Sequence, residues 1–184
     1  EWLYIHVEDI DDKKLERQRM TEQLRLDALT RLYNRDYTHI QVDCFLSGEG
    51  KDKSHAFMII DIDNFKRINN QLGYLFGDTV LTNISDTLKN VFYESDIVGR
   101  IGGDEFIVFL KNIDNLQRLQ EKASEVKNIF ENTYSGEGKD LQISCSIGIV
   151  RYPEDGTTFR ELFKNADSAL YQVKKKCGDS LLVG

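Results

Sequence analysis

Two apolar stretches, Asp96–Ile101 and Phe106–Leu110, are joined by Gly102-Gly103-Asp104-Glu105. Adjacent glycines adopt the positive φ angles that a tight turn demands, so the segment predicts a β-hairpin with two acids on the rim of its turn. Such a turn brings backbone close to a ligand and sets carboxylates beside it. Taken alone, the pentapeptide Gly102–Phe106 fits two readings: a plain hairpin with a solvated acidic tip, and a turn that meets a metal-bound phosphate.

A second acidic segment, Asp61-Ile62-Asp63-Asn64-Phe65-Lys66, ends the apolar run Ala56–Ile60. Strand alternation puts Phe57, Ile59 and Asp61 on one face. A carboxylate at the end of a buried strand is costly unless it is paired, hydrogen-bonded or bound to a metal. Asp63 or Asn64 can cap the helix that follows. Asp61 lies further inside and, with the acids of the turn, reads as a metal ligand. Magnesium takes one or two carboxylates with waters and phosphate oxygens, and Asp61 with Asp104 or Glu105 would supply that set.

Apolar periodicity predicts helices over Asp36–Leu46, Phe65–Leu72, Gly77–Tyr93, Asn115–Tyr134 and Phe159–Lys175. Strands are expected over His55–Asp61, on both sides of the Gly102-Gly103 turn, over the alternating Leu141–Arg151 and over Ser180–Val183. Ser47–Ser54 and Ser135–Lys139 read as loops. The order implies an α+β fold: a central, mostly antiparallel sheet flanked by helices, ferredoxin-like with additions. Upstream, Lys13–Asp27 is highly charged, lacks Gly and Pro, and reads as an N-terminal linker helix. Its sparse apolar residues fit both a coiled-coil seam and a solvated linker.

The 184 residues suffice for one domain with a modest extension. A net charge of −7 argues against general nucleic-acid binding, which needs a basic footprint. No stretch approaches the ~20 apolar residues of a membrane span. The three cysteines are scattered and show no metal spacing, which suits a reducing cytoplasm. The chain begins at Glu1, and it is expected to be a piece of something longer.

Five ordered blocks, spanning Asp27 to the C-terminus, carry a resemblance. They are Asp27–Arg35 (DALTRLYNR), Asp61–Asn69 (DIDNFKRIN), Gly77-Asp78, Gly102–Phe106 (GGDEF), and Ser146-Ile-Gly-Ile with Ala166–Tyr171 (ADSALY) beyond it. Together they resemble the GGDEF domain of diguanylate cyclases, which joins two GTP molecules into cyclic di-GMP and releases pyrophosphate. The resemblance implies a nucleotidyl-cyclase-like fold. It implies Mg²⁺ or Mn²⁺ held by Asp61, the Ile62 carbonyl, Asp104 and Glu105, with Asp104 and Glu105 as the catalytic acids. It places guanine contacts on Asn69 and Asp78, and triphosphate contacts on Lys174, the glycine turn Gly102-Gly103 and the backbone of Asn64 and Phe65. From the residues alone, Asp78 equally suits the N-cap of a helix beginning near Thr79, Asn69 a polar helix surface, and Lys174 a solvated helix end. The resemblance further implies a homodimer of half-sites, each domain presenting its GTP to the other.

Departures from the family pattern fall at Tyr74, where it often has His, and at Asn70, where it often has Asp. At Cys177-Gly178-Asp179 an Arg is frequent after the glycine, and the lysine run before it looks one residue longer. The R-x-x-D product-inhibition motif is represented by Tyr93-Glu94-Ser95-Asp96, without its arginine, so no standard product-binding inhibitory site is expected. Residues 1–10 are similar to the last strand of a PAS sensor domain, 11–26 to a signalling linker, and 27–184 to the catalytic domain.

Overall fold

The apolar run ahead of Asp61 becomes the central strand, β1 (His55–Ile62), buried along its whole length. Burial follows from its position in this computed structural model, which describes residues 24–92, 96–131, 133–136, 139–176 and 181–183. The expected sensor strand over 1–10, most of the linker over 11–26, Tyr93–Ser95 and Cys177–Asp179 lie outside those residues.

β1 is paired on both edges. A hairpin of β2 (Ile97–Gly102) and β3 (Glu105–Leu110) lies on one side. On the other lies β6 (Cys145–Tyr152), antiparallel to β1, and β7 (Leu181–Val183) runs parallel to β6 at the edge. The order β2-β3-β1-β6-β7 is that of a mostly antiparallel sheet. Among the described residues, helices α1 (Arg35–Ser47), α2 (Phe65–Leu72), α3 (Tyr74–Val91), α4 (Leu116–Phe130) and α5 (Phe159–Lys176) cover its faces. The fold is α+β, as the order of elements predicts, and no described helix is long and apolar enough to cross a membrane.

The period-two alternation of β1 divides the core. Ala56, Met58, Ile60 and Ile62 join Ile84 and Leu88 of α3 and Leu119 and Val126 of α4. Phe57 and Ile59 join Ile107, Phe109 and Val150 on the other face, under Val42 of α1 and Leu162 and Leu170 of α5. Asp61 continues this second face. A slip of one residue would send every side chain of β1 into the opposite core, where its neighbours are shaped for others, and would turn Asp61 to the other face. Register is therefore strongly specified, and with it the position of Asp61.

Several sequence expectations need correction. α3 begins at Tyr74, not Gly77. Gly73, at φ 85°, both ends α2, donating its N–H to the Asn69 carbonyl, and opens α3, accepting from Gly77. Asp78 therefore lies inside the helix, and its alternative reading as an N-cap fails. Neither Asp63 nor Asn64 caps α2 through its side chain. Asn64 is left-handed, at φ 56°, with no capping bond, while the Asp63 carboxylate accepts from the Ser144 and Ser146 hydroxyls. α4 stops at Phe130. Where a helix end and a loop were expected, β4 (Thr133–Gly136) and β5 (Lys139–Gln142) form a separate two-stranded hairpin. The alternating run Leu141–Arg151 is accordingly split between β5 and β6.

At the end of β1 remote from Asp61, buried His55 ties two loops together. Its Nε2 donates to the Gly50 carbonyl at 2.8 Å, and its Nδ1 accepts from the Asn112 N–H at 3.0 Å. The bond accepted at Nδ1 needs the neutral ring, since a protonated imidazole has no lone pair there. Burial holds its pKa below the usual value, and Lys53 and Lys111 push the same way against the Gly50 bond. A folded-state pKa below the unfolded one makes this contribution complete above about pH 6.5 and lost as pH falls through the folded value. Urea denaturation should show stability falling between pH 7.5 and 5.5. His55→Gln should cost about 1–3 kcal/mol at pH 7.5 and flatten that dependence. An unchanged slope in the variant would assign the acid sensitivity elsewhere.

Candidate active site

The two acidic segments meet because β1 and β3 are neighbours. Asp61 stands directly opposite Glu105 in the ladder, with Ser146 of β6 on its other side. Opposed residues of an antiparallel pair share a face, with Cβ atoms about 4.5–5.5 Å apart. The ladder continues to the turn, where the Ile62 N–H donates to the Asp104 carbonyl at 3.2 Å. The turn itself uses glycine geometry, with φ of 152° at Gly102 and 49° at Gly103.

A strut fixes that turn. Arg100 donates through Nε and Nη2 to the Gly103 carbonyl, at 3.0 and 2.7 Å, and through Nη1 to Asp27 Oδ1 at 2.8 Å. The same Asp27 oxygen accepts from the Thr30 N–H and hydroxyl at 2.9 and 2.7 Å. Burial pushes the Asp27 carboxyl up, but these bonds prevail and hold it below the ordinary range. The block beginning at Asp27 is thus a buttress for the acidic turn. No feature of its spacing in sequence announces this.

α5 closes the site from the Phe57–Asp61 face. It approaches β6 so closely at Gly148 that a side chain there would collide with the Ala166 carbonyl and lie 2.6 Å from the Leu170 nitrogen. One turn beyond Leu170, Lys174 Nζ reaches Asp61 Oδ1 at 2.7 Å. Lys175 instead sits over the Tyr171 ring. Glu105, Asp167, Ser168, Tyr171 and Lys174 line a groove of about 370 Å³. Asp167 and Tyr171 did not enter the site from sequence. Their i, i+4, i+7 spacing with Lys174 is the signal that places all three on one helix face.

The electrostatics are those of a site short of positive charge. Burial raises the pKa of Asp61 above its ordinary value against the pull of Lys174, and Asp104 adds to the rise. Burial, Asp61 and Asp104 together raise Glu105. A raised folded-state pKa means that the stability each group contributes is present at low pH and lost as pH rises through that value. An added cation relieves this repulsion. The ligands on offer are oxygens, which suits a hard divalent ion. Among the described residues no three His, Cys, Asp or Glu converge on one point.

Asn69 and Asp78 occupy a second locus, on the α2–α3 elbow. Asn69 Oδ1 is buried without a hydrogen-bond partner and presses on Gly77, where any Cβ would collide with it. Asp78, the next residue, is exposed. Phe65 is buried in the core, which leaves its backbone at the start of α2 as the part available to a phosphate.

Two variants test this geometry. Lys174→Met removes the cation from Asp61 and should cost about 1 kcal/mol without metal, since the lysine is part-exposed. In thermal melts Mg²⁺ alone should then stabilise the variant more than the parent, having no ammonium to displace; an equal or smaller gain would contradict the pairing. Arg100→Ala should cost about 1–3 kcal/mol, and Arg100→Lys should not restore it, because one ammonium does not reproduce the fork to Gly103 and Asp27.

A family profile described as "Diguanylate cyclase, GGDEF domain" matches residues 24–180. The chain is 36% identical over 171 residues to cyclic di-GMP phosphodiesterase NbdA of Pseudomonas aeruginosa, covering 86% of this chain and 20% of that protein. It is 33% identical to diguanylate cyclase TpbB of the same species, covering 88% of this chain and 38% of that one. It thus spans between a fifth and two-fifths of the length of these relatives. The solved GGDEF domain of TpbB superposes with a TM-score of 0.79 at 33% identity, over 86% of this chain and 94% of that structure. On these matches, and on a hairpin that presents Gly102–Phe106 opposite Asp61, the chain belongs to the GGDEF family of diguanylate cyclase domains.

Proposed function

We propose that the domain over 27–184 is a metal-dependent diguanylate cyclase that condenses two GTP into cyclic di-GMP with release of two pyrophosphates. The observation that carries this reading is the opposition of Asp61 and Glu105 at the acidic turn, with Lys174 2.7 Å from Asp61. A split carboxylate pair beside a part-exposed lysine is suited to a triphosphate and its counter-ion.

Asp61, the Ile62 carbonyl, Asp104 and Glu105 would hold Mg²⁺ or Mn²⁺, with no three of these carboxylates gathered on one ion as the site stands. When bound, it would offset charge on the α-phosphate and on the pyrophosphate leaving group. Lys174 exchanges its carboxylate partner for a triphosphate oxygen, and the backbone N–H groups of Asn64 and Phe65 meet another at the start of α2. Gly102 and Gly103 let the nucleotide approach the turn without a side chain between. Asp78 accepts from the N1–H and amino group of guanine, and the Asn69 amide pairs with its acceptors. Adenine lacks that donor pair, so GTP is chosen over ATP.

In each transfer, the 3′-oxygen of one GTP forms a bond to the α-phosphorus of the other. The bond from that phosphorus to the pyrophosphate breaks, and the 3′-hydroxyl proton passes to the Asp104 carboxylate. Two transfers close the ring. One domain has one nucleotide locus, so two domains must face each other, and rate enhancement comes from positioning and electrostatics. An upstream sensor acting through a linker before Asp27 would control that pairing in the cytoplasm.

A GTP-binding regulatory module is the second reading, favoured by the likeness to a protein named as a phosphodiesterase. Incubation with GTP and Mg²⁺ separates the two. Cyclic di-GMP should form with a rate that rises more steeply than linearly in protein concentration, and Asp104→Ala should abolish it. GTP binding without product at high protein concentration would select the module instead.

A further inference from the structure

We propose that Tyr74 is a base-positioning residue whose ring stacks on the flat face of the guanine that Asn69 and Asp78 read along its edge. The inference rests on the GTP reading above and adds a residue to it.

Tyr74 and Leu75, the first two residues of α3, are among the most exposed large apolar side chains described, at 76% and 84%. Neither contributes to the core. Their position is set by helix spacing. Tyr74 precedes Gly77 by three residues and Asp78 by four, so the three share one side of the first turns. Gly77 is the point at which α3 touches Asn69, and Asp78 is the exposed residue beside it. Side chains on a helix lean toward its N-terminus, which carries the Asp78 carboxylate over the turn that begins at Tyr74. Helix spacing thus puts Tyr74 on the side of α3 that meets the locus where Asn69 keeps a buried oxygen without a partner, with the Phe65 ring beneath Gly77.

The division of labour follows from the chemistry. Hydrogen bonds to a base edge replace bonds to water, so they discriminate well and add little net affinity. Stacking on an aromatic face adds affinity and is indifferent to which base is present. Asn69 and Asp78 supply edge contacts and no aromatic face. Tyr74 supplies the face, and Leu75 extends the apolar rim.

The test is calorimetric titration of the chain with GTP–Mg²⁺ and, in parallel, with inorganic tripolyphosphate–Mg²⁺. Tyr74→Ala should weaken GTP binding roughly ten-fold or more, leave tripolyphosphate unchanged, and keep the preference for GTP over ATP. Tyr74→Phe should bind GTP like the parent. Unchanged GTP affinity in Tyr74→Ala overturns the proposal. So does equal weakening of GTP and tripolyphosphate, which would mark a disturbed fold. Unchanged affinity with a turnover that needs more protein would mean that the ring touches a second copy of the chain, and also overturns it. A parent chain that does not prefer GTP to ATP would remove the guanine reading itself. A neutral Tyr74→Ala in a GTP-selective parent removes only the role of Tyr74.

Discussion

A carboxylate at the end of a fully buried strand has to be answered by something, and Asp61 is answered from two directions. Across the ladder stands a second acid, Glu105, which makes the local charge worse. Across the layer stands Lys174, which makes it better. The lysine reaches only because α5 is drawn tightly onto β6 at Gly148. The packing of that helix and the charge balance of the site are one problem. The domain accepts two raised carboxyls in exchange for a cluster that cations and phosphates can complete.

The site is also divided by layer. The carboxylates and Lys174 belong to the sheet end and α5, on the face that buries Phe57 and Ile59. Asn69 and Asp78 belong to the α2–α3 elbow, held by its own break at Gly73. The Asp61–Lys174 cluster and the Asn69–Asp78 locus thus rest on different elements of the fold.

What was legible from the residues alone follows from periodicity. The alternation in Ala56–Ile60 and the glycine pair at 102–103 together imply that Asp61 and the acidic turn lie at ends of buried strands. Contacts between layers were not legible. Nothing local to Lys174 says that it, rather than Lys175, meets Asp61. The start of α3 was misplaced because Gly73 and Gly77 look alike in sequence. One is a hinge at positive φ, and the other is a close approach to Asn69. The β4–β5 hairpin was missed because Thr133–Gln142 has too few apolar residues to declare a period.

Asp27 and Arg100 are 73 residues apart in sequence, yet one guanidinium joins the first to the turn that follows the second. Asp27, near the start of the family match, and the loop that bears the signature acids are therefore joined by one side chain. A displacement of Asp27 thus reaches the Gly103 carbonyl through one side chain, while Leu24–Leu26 just ahead of it are tied to Tyr33 and Asn34.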